Sequence, residues 1–242
     1  MSIAENLRVV RAGIASACAA AGRDPASVTL IAVSKTKPLN SVLEAYASGQ
    51  LHFGENYAQE LRDKTDACAA SGDAAGAVWH FIGALQTNKA KYVAPRADLV
   101  HDVDRVELAV ELGRRAGATH RGPRSVGVLL GVNIGEEPQK SGVLPKDALA
   151  LAEQLYGVRA PGVVGVQLRG LMCIPPADAD PRPHFERLRA LRDEGLARGL
   201  PLHELSMGMT HDYADAISCG ATFVRVGTAI FGARDYPKAV VS

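Results

Sequence analysis

Aromatic residues are scarce in this chain: one Trp, five Phe and six Tyr among 242 residues. With 47% of the residues apolar a sizeable core is available, but Ala, Val, Leu and Ile must build it. Paired cysteines are missing too. Cys18, Cys68, Cys173 and Cys219 stand far apart with no CxxC spacing, which argues against a disulfide framework and for buried small hydrophobes in a reducing cytosol. The seven histidines include no HExxH, so no metal ligand set is proposed. No apolar run approaches a membrane span, and Glu5, Arg8 and Arg11 break any secretory leader. An excess of one charge is absent as well. A net charge of +1 without a basic stripe argues against nucleic acid or an anionic membrane as partner. No linker or low-complexity tract divides the chain, so a single domain over residues 1–242 is expected.

What is present is alternation. Ser2-x-x-Glu5 reads as a capping box opening a leading helix, with Leu7, Val10, Ile14 and Cys18 on one face. Short apolar runs then alternate with helical patterns. The expected strands are Leu30–Lys35, Phe53–Glu55, Trp79–Gly83, Leu99–Val103, Ser125–Ile134, Gly165–Ile174, Glu204–Met207 and Thr222–Val226. Asn56-x-x-Gln59 and Asp104-x-x-Glu107 look like capping boxes directly after the second and fourth. Ala148, Leu151, Ala152 and Leu155 form an apolar stripe, as do Phe185, Leu188 and Leu191, while Gly49, Gly157 and Gly199 stand where helices should end. Strands made of continuous Val/Ile/Leu runs, each followed by a crossover helix, imply a parallel sheet covered on both faces. Eight such units predict a (β/α)8 TIM barrel with one leading N-terminal helix. A doubly wound open sheet is permitted by the same alternation.

In a parallel barrel, chemistry gathers where strands end. Lys35 ends an apolar run just before Thr36-Lys37-Pro38. It is either a snorkelling lysine or an amine made nucleophilic by desolvation. Arg225 places one guanidinium inside Phe223-Val224-Arg225-Val226-Gly227. A buried charge needs an acceptor, supplied either by a core carboxylate such as Glu55 or by a ligand. Gly227-Thr228 and Gly208-Met209-Thr210 each set a glycine before a hydroxyl at a strand-to-helix turn, an arrangement that can cradle phosphate. Thr210 could equally be the N-cap of a helix over His211–Cys219, and Asp212 there would repel an anion. Asn56 also falls at a strand end. His80 reads as a satisfied core histidine, and no Ser/His/Asp triad emerges. A lysine, a buried arginine and a phosphate cradle at one mouth suit pyridoxal phosphate: aldehyde to Lys35, ring nitrogen to Arg225, phosphate to the turns. An arginine at the ring nitrogen leaves it unprotonated, which favours holding the cofactor over carbanion chemistry.

At these residues the chain resembles the pyridoxal phosphate homeostasis proteins, single-barrel relatives of the alanine racemase N-terminal domain. The segments that carry the likeness are Ala32–Pro38, Phe53–Tyr57, Trp79–Lys89, Asn133–Gly142, Arg169–Met172, Ser206–Met209 and Val224–Gly232. The resemblance implies an alanine racemase N-terminal-like barrel and an aldimine between Lys35 and pyridoxal 5′-phosphate. It places Arg225, Gly227 and Thr228 in the cofactor site, to which the strand-end positions add Asn56, Ser206, Met207, Gly208 and Thr210. It further implies a cytoplasmic protein that buffers or delivers the cofactor to apo-enzymes without turnover, with effects on amino-acid and keto-acid balance. Thr210 stands where the family usually has serine, which keeps the hydroxyl. Lys37, Lys140 and Lys238 read as solvated lysines that could take cofactor in transit. The alternatives are a racemase-type enzyme and a Schiff-base aldolase. Racemisation needs a second base, which the racemase relatives draw from a following β-rich domain. The chain ends at Ser242, soon after the eighth strand, so such a domain is not expected, and a monomer is.

Overall fold

A computed structural model describes residues 1–116, 125–158 and 165–233. Helix α1 (Ile3–Ala20) leads, opened by the expected capping box: Glu5 N–H donates to Ser2 Oγ, and the Glu5 carboxylate accepts from Ser2 N–H. Strand and helix then alternate as β1 (Thr29–Val33), α2 (Leu39–Ala47), β2 (His52–Glu55), α3 (Ala58–Ser71), β3 (Val78–Phe81), α4 (Ala90–Val93), β4 (Leu99–Val103) and α5 (Val106–Ala116). The second half continues with β5 (Val126–Val132), α6 (Ala148–Tyr156), β6 (Val166–Cys173), α7 (Pro181–Ala197), β7 (Glu204–Ser206), α8 (Tyr213–Ser218), β8 (Phe223–Val226) and α9 (Thr228–Phe231).

The eight strands are all parallel and close into a barrel in sequence order. Closure rests on β1 pairing with β8, with Ile31 opposite Arg225. That pairing excludes the open sheet, whose edge strands would stay unpartnered. Burial falls in two layers. Ile31, Leu99, Leu129, Met172 and Phe223 pack inside the barrel. A larger layer between strands and helices holds Leu7, Val10 and Ile14 of α1 together with residues such as Phe185 and Leu188 of α7. The four cysteines are free and buried. Among the described residues no helix is long and apolar enough to cross a membrane.

Several local expectations are corrected. β1 stops at Val33, so Lys35 stands in a turn beyond the strand. α3 is capped by Tyr57 with no side-chain bond, so Asn56 does not form the expected capping box. The carboxylate of Asp104 is held by Arg105 Nη1 at 2.5 Å. Gly49 and Gly199 take the left-handed conformation of a helix end, whereas Gly157 stays right-handed at φ −77°. The helix expected over 211–219 begins only at Tyr213 and ends at Ser218. Asp212 precedes it and accepts from Met209 N–H at 2.5 Å, so Thr210 is not its N-cap.

Candidate functional site at the C-terminal mouth

The Lys35 turn is held from below by a buried ionic cluster. Lys37 N–H closes the turn on Ser34 O at 3.0 Å, and Thr36, at φ 64°, donates its N–H to Glu60 Oε1 at 2.7 Å. Lys64 reaches in from α3 and donates to Ser34 O at 2.8 Å, Glu55 Oε1 at 2.7 Å and Glu60 Oε1 at 2.8 Å. Ser34 Oγ donates to the same Glu55 oxygen at 2.7 Å. Glu55 is fully buried and its Oε2 has no partner. Burial outweighs the attraction of Lys64 and pushes its carboxyl up to about 7. Glu55 therefore serves Lys64, which removes it as the core-carboxylate alternative for Arg225.

Arg225 is buried, and its bonds go to neutral acceptors. Nη1 donates to Ser206 Oγ at 2.6 Å and Nη2 to Cys173 O at 3.0 Å. Among the described residues no carboxylate forms an ion pair with it. Burial lowers its pKa, while Cys173, Asp212 and Asp102 act to raise it. A buried guanidinium satisfied only by a hydroxyl and a carbonyl is poised to meet a further acceptor from the mouth.

The two glycine–hydroxyl turns converge. Thr210 Oγ1 lies 3.4 Å from Thr228 Oγ1. A single cleft is lined by Lys35, Lys37, Gly227, Thr228 and Phe231, so the first-strand lysine and the last-strand turn face the same space. Gly208 sits at φ 91°, where a Cβ would stand 2.6 Å from that of Ala216; its carbonyl accepts from Arg225 N–H at 2.9 Å. Asn56 follows β2 with its Oδ1 enclosed and unpartnered. Met207 is buried. Its side chain lies in the core outside the barrel, and its N–H is taken by Phe223 O at 3.2 Å. Met209 N–H is likewise taken by Asp212, which reduces what that turn offers an anion.

Across the mouth, a cavity of about 300 Å³ is lined by Asp102, Asn133, Lys140, Ser141 and Met172. Ser141 Oγ donates to Asp102 Oδ2 at 2.9 Å, and Gly131 leaves the room that Asp102 occupies, since a Cβ there would stand 1.9 Å from its Oδ1. Two of the three lysines read as solvated are anchored. Lys140 Nζ bonds Pro175 O at 3.1 Å and Glu137 Oε2 at 2.5 Å, and Lys37 Nζ bonds Ala233 O at 2.5 Å. Lys238 lies outside the described residues.

Lys64 and Glu60 join the site without standing out in the sequence, and His80 belongs to a row of three histidines. His52 Nδ1 lies 2.9 Å from His80 Nε2, His80 Nδ1 lies 2.9 Å from His101 Nε2, and His101 Nδ1 lies 2.8 Å from Ser206 Oγ. His80 is thus the satisfied core histidine expected. Burial holds His80 and His101 far below the usual histidine pKa and lowers that of His52. The available signal was three successive strands each carrying one histidine. Among the described residues no cluster of His, Cys, Asp and Glu could hold a metal ion.

The model of the family "Alanine racemase, N-terminal domain" matches residues 2–235. A pyridoxal phosphate homeostasis protein of Pseudomonas aeruginosa is 45% identical over 235 residues, covering 97% of each chain. One from Escherichia coli K12 is 42% identical over 239 residues, covering 98% of each. The structure of PipY from Synechococcus elongatus PCC7942 with PLP bound superposes with a TM-score of 0.78 at 38% identity, over 96% of this chain and 100% of the other.

Proposed function

We infer, since this chain belongs to the pyridoxal phosphate homeostasis proteins on the alanine racemase N-terminal fold, that it holds pyridoxal 5′-phosphate at the C-terminal mouth through Lys35. The observation that carries this reading is Arg225: a buried guanidinium bonded to neutral acceptors, two residues before the Gly227-Thr228 turn that shares a cleft with Lys35. The residues fit the cofactor. Lys35 offers an amine to an aldehyde, Arg225 a fixed cation to a ring nitrogen, and Thr210 and Thr228 paired hydroxyls to a phosphate. Gly208 and Gly227 allow backbone approach, Asn56 has an enclosed acceptor awaiting a donor, and Ser206 acts through Arg225.

When bound, pyridoxal phosphate supplies an electrophilic aldehyde and a ring that draws electrons from a carbon joined to it. Arg225 keeps its own proton at every ordinary pH and therefore leaves the ring nitrogen unprotonated and that draw weak. Lys64, Glu55 and Glu60 fix the turn from which Lys35 projects. The site so read is a holder of the cofactor, with buffering or delivery to apo-enzymes as its use, in a cytoplasmic monomer made of one barrel.

Purified protein should show the visible absorption of bound cofactor, and borohydride should fix its mass on Lys35. Lys35→Ala should lose both; a band that survives this change refutes the assignment. Alanine or serine in deuterated water should keep its α-proton, and Lys35-dependent exchange would restore the racemase reading. Activation of an apo-enzyme on direct contact, but not across a dialysis membrane, would identify delivery over buffering.

A further inference from the structure

The mouth is joined to the opposite rim of the barrel by a continuous line of hydrogen bonds. His52 stands half-buried at the start of β2, at the N-terminal rim, where a cavity lined by Arg11, Pro25, Gln50 and Leu51 meets it. From there the line passes through buried His80 on β3 and His101 on β4 to Ser206 on β7 and Arg225 on β8. Phe223 packs edge-on against both inner rings, with centroids 5.5 and 5.6 Å away, which limits their rotation.

A neutral imidazole has one donor nitrogen and one acceptor nitrogen. Each link uses Nδ1 of one ring and Nε2 of the next, so the tautomer of one ring dictates that of the others. Only two arrangements keep every link. In the first, all three rings carry the proton on Nε2 and the Ser206 hydroxyl donates to His101. In the second, all three carry it on Nδ1, and Ser206 accepts from both His101 and Arg225. The second leaves the buried hydroxyl proton of Ser206 with no acceptor among its bonds, which is costly. The first satisfies it.

We propose that His52, His80 and His101 are positioning residues that share the Nε2–H tautomer and, through the oriented hydroxyl of Ser206, fix the Arg225 guanidinium for its ligand. Burial supports this by keeping the inner rings neutral, reinforced by the positive charge of Arg169 at both and of Arg225 at His101; Asp98 acts the other way at His52. The part that concerns the ligand rests on pyridoxal phosphate binding at Arg225, whereas the tautomer is a property of the protein alone.

The test is nitrogen NMR of histidine-labelled protein, without and with pyridoxal phosphate, alongside the dissociation constant of the cofactor. Nδ1 of His52, His80 and His101 should resonate as unprotonated acceptors at neutral pH in both forms. His52→Leu removes the outer acceptor; it should mix the tautomers of His80 and His101 and weaken the cofactor by roughly threefold to tenfold, the worth of one hydrogen bond. His52→Asn, whose Oδ1 can stand in for Nδ1, should restore both. Rings of opposite tautomer in the parent protein would overturn the proposal, as would a folded His52→Leu with unchanged His101 signals and affinity. Should His52→Leu fail to fold, Ser206→Ala decides: the His80 signals, two links away, must shift. If the parent protein takes up no pyridoxal phosphate, the proposed function falls, and the tautomers still decide whether the rings act as one.

Discussion

Glu55 combines a lysine partner with an acidity raised by burial, and the sign of its effect on stability follows. Its carboxyl rises from 4.5 to about 7 on folding, so between those values the folded state holds a proton that the unfolded chain has lost. Its contribution is therefore fully present below pH 4.5 and declines as pH rises to about 7. His80 and His101 have the opposite sign: kept neutral by burial, they contribute stability above the ordinary histidine pKa and lose it as pH falls. Urea unfolding from pH 5 to 8 should show that Glu55→Gln removes the falling component, of order 3 kcal/mol at most, leaving the histidine component rising with pH. Lys35 and Arg225 were legible in the sequence because a charge next to or inside an apolar run stands out. The Glu55–Lys64 pair and the histidine row were not. Their partners are separated along the chain by up to 105 residues and meet only once strand register is set.

The turns after β7 and β8 carry the candidate phosphate cradle, and the first depends on backbone shape. Gly208 at φ 91° admits the close approach of Ala216, and its carbonyl anchors the backbone of Arg225. Gly208→Ala should strain that turn and shift Ala216, at a cost of about 1–3 kcal/mol. Chemical denaturation will measure the loss, and binding of pyridoxal phosphate should weaken with it, whereas Gly199→Ala, where nothing lies within 4 Å, should reach only stability. Periodicity placed β4 to the residue and the other strands within one or two residues at most ends, because buried runs announce themselves. α8 starts later than the pattern predicts because Asp212 takes the amide of Met209, and the chain stays in a loop until Tyr213. The spacing of Asn56 to Gln59 fits the capping motif, while the backbone places Tyr57 at the cap position.

Closure of the barrel gives a second, inner core of only a few side chains, drawn from β1, β4, β5, β6 and β8. Leu129 is fully enclosed there, and little can collapse around it because five strands fix the wall. Leu129→Ala should therefore cost about 3–5 kcal/mol and lower the thermal midpoint, with the spectrum of bound cofactor unchanged below the transition. Eight strand–helix units favour the barrel and still permit the open sheet; pairing of β1 with β8 decides between them, and no local pattern encodes it. The family resemblance points to the same barrel. Cys173 adds a use for this architecture. It is fully enclosed and burial pushes its thiol up to about 12, so alkylation waits for the barrel to open. Its own carbonyl holds Arg225, so the alkylation rate of this one sulfur, followed by mass spectrometry, is a built-in clock for breathing of the mouth. It should run slower when pyridoxal phosphate is added, while Cys18, in the layer beneath α1, keeps its pace.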